Sequence, residues 1–278
     1  MAVTSSRSVK AIACKFGRNV GSGREVPVEM PVALSYAGTS HAVMMATPSD
    51  LEDFALGFSL SEGIISSLDD VTSIEVVEAG PGIDLQIGLV EERASGFSAR
   101  RRAMAGPVGC GLCGVELIEE AVQPVEKVKK PSFVLSPREI TGATTGMAKG
   151  QPLFDKTRAV HAAAFYVPGR GVVAVREDVG RHNALDKLRG TLARTGEAPT
   201  AGVVLMTSRV SVELIQKTAR AGAAFLVAVS APTTLAIEMA DAAGICLIGV
   251  ARGNDFEIFT HADYVDMADS EGVTIHVA

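Results

Sequence analysis

Three short, unbroken apolar runs, GVVLMT (202–207), AFLVAVS (224–230) and ICLIGV (245–250), alternate with two helical segments, SVELIQKTARAG and TTLAIEMADAAG. A strand that is apolar on both faces needs cover on both faces, and helices between such strands supply it through right-handed βαβ crossovers. The pattern therefore predicts an α/β fold with a parallel sheet in the C-terminal part. In open α/β sheets ligands gather beyond the carboxyl ends of the strands, where the following helices point their N-termini. Those ends are Ser208-Arg209-Val210-Ser211, then residues 230–234 (SAPTT), then Val250-Ala251-Arg252-Gly253-Asn254-Asp255. The loop 177–183 (EDVGRHN), with His182, would join them after the strand VVAVR. Hydroxyls, amides and arginines on one edge suit an anionic, phosphate-bearing ligand. Taken singly, Ser208, Ser211, Ser230 and Thr233 are ordinary helix caps, and Asp178 with Arg181 reads as a loop ion pair. Neither a Walker A sequence nor G-x-G-x-x-G occurs.

The front of the chain has a different grain. Residues 26–46 read as two strands joined at YAGTS, followed by a helix opened by a capping box at Ser49-Asp50-Leu51-Glu52. A second hairpin surrounds Gly80-Pro81-Gly82, and residues 124–137, with three prolines, read as a linker. A helix is expected from Ser136, then a hairpin at Pro168-Gly169-Arg170-Gly171. At 278 residues two domains are expected: a loose basic N-terminus (1–24), a small α+β domain (25–130) and an α/β domain (131–278). A formal charge of −6 argues against general nucleic-acid affinity. No signal peptide or spanning run is visible, and four cysteines without a framework point to a reduced, cytoplasmic setting.

Two of those cysteines, Cys110 and Cys113, form a C-G-L-C step among glycines just ahead of an apparent helix. Unpaired amides and the positive end of the helix dipole favour a thiolate there. Cys246, inside ICLIGV, reads as a structural thiol. A zinc site would need a second pair, and a zinc deaminase an H-x-E; both are missing, so no metal is expected. A thioredoxin-like dithiol stays open, although the preceding GFSARRRAMAGPVG reads as a basic loop without a strand.

Six blocks in order carry a more specific signal: MMATPSDLEDFALGFSLSEGII, GCGLCG, EDVGRHNALDKL, SRVSVELIQK, VSAPTTLAIEMA and GVARGNDFEIFTHADYV. With them the chain resembles the formate dehydrogenase accessory sulfurtransferase family, FdhD, from about residue 25 to the end. The resemblance implies a cytidine deaminase-like α/β domain with a smaller partner domain, commonly in a homodimer. It implies a cytoplasmic sulfurtransferase that takes persulfide sulfur from a cysteine desulfurase. The sulfur would pass to a molybdenum or tungsten bis(molybdopterin guanine dinucleotide) cofactor, bound as substrate and destined for formate dehydrogenase. Cys110 would carry the persulfide with Cys113 as second member, and Val250 to Asp255 would bind the cofactor. Asp255 stands where a basic residue is common in the family. A cofactor chaperone without chemistry and a dithiol redox protein are the alternative readings.

Overall fold

The computed structural model describes residues 4–104 and 125–268. It is a mixed α/β fold in which the chain divides into two compact units. The first comprises residues 1–123, 151–163 and 176–197, the second residues 124–150, 164–175 and 198–278. This division differs from a single cut at 130/131, because two later segments return to the first unit.

In the first unit, strands β1 (Ser6–Lys15) and β2 (Arg18–Pro27) form an antiparallel ribbon. The segment expected to be loose is thus a hairpin, turning at Phe16 and Gly17, both at positive φ. A four-stranded sheet follows in the order β4-β3-β6-β5, from β3 (Met30–Tyr36), β4 (Thr39–Ala46), β5 (Val71–Ala79) and β6 (Gly82–Leu89). Both expected hairpins are present, and β3 pairs β6 in parallel. Period-two alternation puts Val32, Leu34, Tyr36, Ile83, Leu85 and Ile87 on one face, where they pack with Phe54, Phe58 and Ile65.

Helix α1 (Leu51–Ser61) carries those phenylalanines. It is not opened by a Ser49 capping box. Its N-cap is Asp50, in the left-handed region at φ 52° and without a side-chain cap. Helix α2 (Glu91–Met104) occupies the stretch expected to be a basic loop, running through residues 100–102. The short α4 (Pro152–Thr157) and long α5 (Arg181–Thr195) complete the unit. α1 and α5 cross at glycines: a Cβ on Gly57 would meet the backbone carbonyl of Asp186, and one on Gly190 that of Asp53. Overpacking at such a contact costs about 1–3 kcal/mol. Gly57→Ala is therefore expected to lower the urea midpoint clearly, while Gly96→Ala, whose Cβ meets nothing at an exposed position within α2, should hold it or raise it slightly.

The second unit is built on a six-stranded sheet in the order β12-β11-β10-β9-β7-β8. Its strands are β7 (His161–Val167), β8 (Gly171–Asp178), β9 (Val203–Met206), β10 (Phe225–Ala228), β11 (Cys246–Arg252) and β12 (Asp255–Ile258). β9, β10 and β11 are parallel neighbours, as the three apolar runs predict. Helix α3 (Pro137–Lys149) opens with a capping box between Ser136 and Glu139, and α6 (Val212–Ala221) and α7 (Thr234–Ala243) connect the parallel strands. The core is Ile140, Met147, Leu205, Phe225, Val227 and Ile248. Residues 125–136 are docked rather than slack. Val128 N–H donates to the Ala243 carbonyl, Leu135 N–H to that of Tyr264, and Phe133 stacks on Phe225 at 5.2 Å. No helix among the described residues is long and apolar enough to cross a membrane.

Candidate functional site

Cys110 and Cys113, the candidate sulfur-handling pair, lie outside the described residues. The other two cysteines differ sharply. Cys14 is exposed on β1, whereas Cys246 is wholly buried, and burial pushes its thiol up to about 12. Cys246 is therefore an inert packing thiol, as its apolar run indicates.

The carboxyl ends of β9, β10 and β11 form the predicted edge in the second unit, laced by backbone bonds. Val229 N–H donates to the Met206 carbonyl, Val210 N–H to that of Ala231, Thr233 N–H to that of Val210, and Val250 N–H to that of Ser230. The segments around 208–211, 229–233 and 250–252 are thereby adjacent. Ser208 is buried and donates to the Arg209 carbonyl at 3.1 Å, leaving Arg209 exposed. Of the serine and threonine caps expected, Thr233 caps α7 through Ala236 N–H, while Ser211 sits at the N-cap of α6 without a side-chain capping bond.

The third strand end departs from expectation. No helix follows β11; the chain folds back into β12 through a tight turn at Gly253 and Asn254, with Arg252 paired opposite Asp255. Gly253, at φ 60°, supplies the positive angle such a turn needs at its first central position. Oriented amides at this edge come from the starts of α6 and α7, not from residues 250–255. Arg252 donates its Nε to the Val229 carbonyl at 3.0 Å, which ties the turn to the end of β10 and leaves the far end of the guanidinium to face outward. Val250 sits at φ 53°, a conformation disfavoured for a β-branched residue, within the register shift between Gly249 and Arg252. Asp255 is exposed at the start of β12, and Ala251 is buried.

His182 belongs to the first unit, as the second residue of α5, half-buried. It stands beside a buried polar network that sequence reasoning missed. Asp178 and Lys187, both fully buried, form an ion pair at 2.7 Å. Asp178 also accepts from Thr47 N–H, Gly180 N–H and Asn183 Nδ2, and Lys187 donates to the Thr47 carbonyl. The partner of Asp178 is thus Lys187, not the expected Arg181. A second cluster surrounds Asp53, which accepts from Arg176, Arg194 and Thr191. Burial alone would raise its carboxyl, but the hydrogen bonds from Arg194, Arg176 and Thr191 hold it below the usual range. Glu177 caps α4 through the amides of Leu153 and Phe154; burial nevertheless keeps its carboxyl above the ordinary value.

His161, at the start of β7, is held below its ordinary value of 6.5, first by burial and then by the Arg181 guanidinium, with Asp178 opposing. A base depressed in the folded state contributes stability that is present above its unfolded value and lost as the pH falls through the folded value. Lowering the pH from 7.5 to 5.5 is expected to depress the melting temperature of the wild type more than that of His161→Gln. Parallel losses in the two proteins would contradict this.

The family model for the FdhD/NarQ family matches residues 27–266. The chain is 53% identical over 261 residues to the Sulfur carrier protein FdhD of Agrobacterium fabrum, covering 94% of this chain and 96% of the relative. To the protein of that name from Brucella abortus it is 48% identical over 256 residues, covering 92% and 95%. The crystal structure described as a formate dehydrogenase accessory protein from Desulfotalea psychrophila superposes with a TM-score of 0.74 at 21% identity, covering 94% of this chain and all of that one. That likeness supports the fold.

Proposed function

The chain belongs to the FdhD/NarQ family, and we propose on that footing that it is a sulfur carrier whose loaded form is a persulfide on Cys110. The observation that carries this reading is the 53% identity, over nearly the whole chain, to a protein named for sulfur carriage, in a sequence that contains a C-x-x-C step. The Cys110 thiolate attacks the outer sulfur of a donor persulfide, of the kind formed on a cysteine desulfurase. The donor S–S bond breaks, its thiolate leaves, and Cys110 becomes Cys110–S–SH with no net oxidation. Release follows when the Cys113 thiolate attacks Cys110 Sγ. A Cys110–Cys113 disulfide forms and the terminal sulfur departs as sulfide, so the two thiols are oxidised as the sulfane atom is reduced.

The acceptor in this proposal is the metal of a molybdenum or tungsten bis(molybdopterin guanine dinucleotide) cofactor, a substrate on its way to formate dehydrogenase. Its pyrophosphates suit the edge of the second unit. Arg209 and the outward end of Arg252 offer charge, and the starts of α6 and α7 offer amides. Ser208 and Val250 support the segments that carry them. The acid at Asp255 opposes a direct phosphate contact at that residue, so Arg252 is the stronger candidate in the turn.

The test is incubation with a cysteine desulfurase and sulfur-labelled cysteine, followed by peptide mass spectrometry. Label on the peptide containing Cys110, removed by a thiol reductant, is the expected result. Absence of label with cofactor binding intact would indicate a chaperone, and a Cys110–Cys113 disulfide cycling without label would indicate a redox protein.

A further inference from the structure

The β1–β2 ribbon is tied down at one end and bare at the other. At its base the Arg24 guanidinium donates to the Thr157 carbonyl at 3.4 Å, and Val28 N–H donates to that of Ser5 at 2.8 Å. Around the turn, every residue from Phe16 to Gly21 is exposed. Three of the nine large apolar side chains exposed among the described residues cluster at this end: Phe16 wholly, Ile12 at 79% and Val20 at 50%. The register sets Ile12 opposite Gly21 and Ala13 opposite Val20. Since neighbouring positions along a strand point to opposite faces, Ile12 and Val20 lie on opposite faces of the ribbon, with Phe16 beyond both at its tip.

The same segment is a basic element on an acidic chain. Residues 1–24 hold Arg7, Lys10, Lys15, Arg18 and Arg24 and no acid, although the whole chain carries −6. Lys10 and Arg18 are both exposed, and they share the faces of Ile12 and Val20 respectively. Each face therefore sets one apolar and one basic side chain behind an aromatic tip. A protein partner laid on such a ribbon covers one face and leaves the apolar group of the other in water. A lipid surface closes around an inserted tip on every side, and its phosphates meet the cations of both faces. At about 3.3 Å per residue, Ile12 and Val20 stand roughly 13 Å behind Phe16, so a tip sunk past the headgroups keeps both in contact with them.

We propose that the tip of the β1–β2 ribbon docks reversibly on an anionic lipid surface. Phe16 enters between the headgroups with Ile12 and Val20 behind it, while Lys10 and Arg18 reach the lipid phosphates from either face, their stems alongside the apolar groups. The contact is peripheral, since no helix among the described residues is long and apolar enough to cross a membrane. One aromatic tip with a few cations gives marginal, salt-sensitive attachment, so the chain exchanges between the surface and solution. The proposal is independent of the sulfur chemistry.

The test uses the full chain and two kinds of vesicle, phosphatidylcholine alone and phosphatidylcholine mixed with phosphatidylglycerol. Co-sedimentation should be seen with the mixed vesicles only, and should weaken as salt is added. Phe16→Ser should weaken it about tenfold, and Lys10→Glu combined with Arg18→Glu should abolish it. Val134→Ser, at an exposed apolar residue of the second unit, should leave it unchanged. Because the chain has no tryptophan, Phe16→Trp supplies a unique reporter. Its emission should shift to the blue when mixed vesicles are added and be quenched by brominated acyl chains. Circular dichroism shows that each variant is folded. Absence of binding to either vesicle overturns the proposal, as does binding that Phe16→Ser leaves intact. A blue-shifted indole that needs no lipid and reverts on dilution overturns it in favour of a second copy covering the tip.

Discussion

Cells whose only copy of this protein carries Cys110→Ala should lose formate dehydrogenase activity by at least about a hundredfold, since removing a nucleophile takes away the whole covalent route. The purified variant should take up no sulfur label from a persulfide donor. Cys113→Ala separates loading from release. If Cys113 expels the sulfur as sulfide, that variant should accumulate label on Cys110 while maturation falls. Should both variants support full activity, the persulfide reading is excluded. The inert, deeply buried Cys246 provides the control, because Cys246→Ala should leave labelling unchanged.

A second large effect is expected inside the first unit. Lys187→Met keeps the length of the side chain but leaves Asp178 charged, fully buried and without its ion-pair partner. Breaking such a pair from one side costs about 3–5 kcal/mol, far more than an exposed pair such as Lys130 with Asp263. Urea unfolding followed by circular dichroism measures it. The double variant Lys187→Met with Asp178→Asn should recover part of the loss, because the amide carries no charge and its one oxygen can still accept from the Gly180 N–H and Asn183 Nδ2, although its NH2 group then faces the Thr47 N–H. A loss below about 1 kcal/mol for Lys187→Met would mean that water reaches the pair.

The parallel strands were legible because residues 203–206, 225–228 and 246–250 are apolar without interruption, a pattern with few other physical uses. The helix start at Ser136 was legible too, and the structure places there a capping box between Ser136 and Glu139 whose halves lie within four residues. Ser49 with Glu52 has the same spacing and fails, because Asp50 takes the left-handed conformation and becomes the N-cap itself. Helix α2 was obscured by its polar composition and the ribbon by its charges, which resemble those of a solvated tail. For the candidate site, the strand-end segments 208–211, 229–233 and 250–252 were found from topology and are adjacent. The turn at 253–254 was not, since a strand end gives no local sign of whether a helix or another strand comes next. The Asp178–Lys187 pair was missed because its members lie nine positions apart, at the end of a strand and within the helix that follows, and no local pattern marks them as partners.

The division of the chain into its units has a consequence for biosynthesis. The polypeptide passes between the two units five times, and the first is complete only at residue 197. Until α5 has cleared the ribosome, the Gly57 side of α1 has nothing to pack on, and a nascent chain stalled near residue 150 would hold that side open to chaperones. Neither unit can be expressed by simple truncation, so a premature stop anywhere before residue 197 should yield a protease-sensitive fragment rather than an autonomous half.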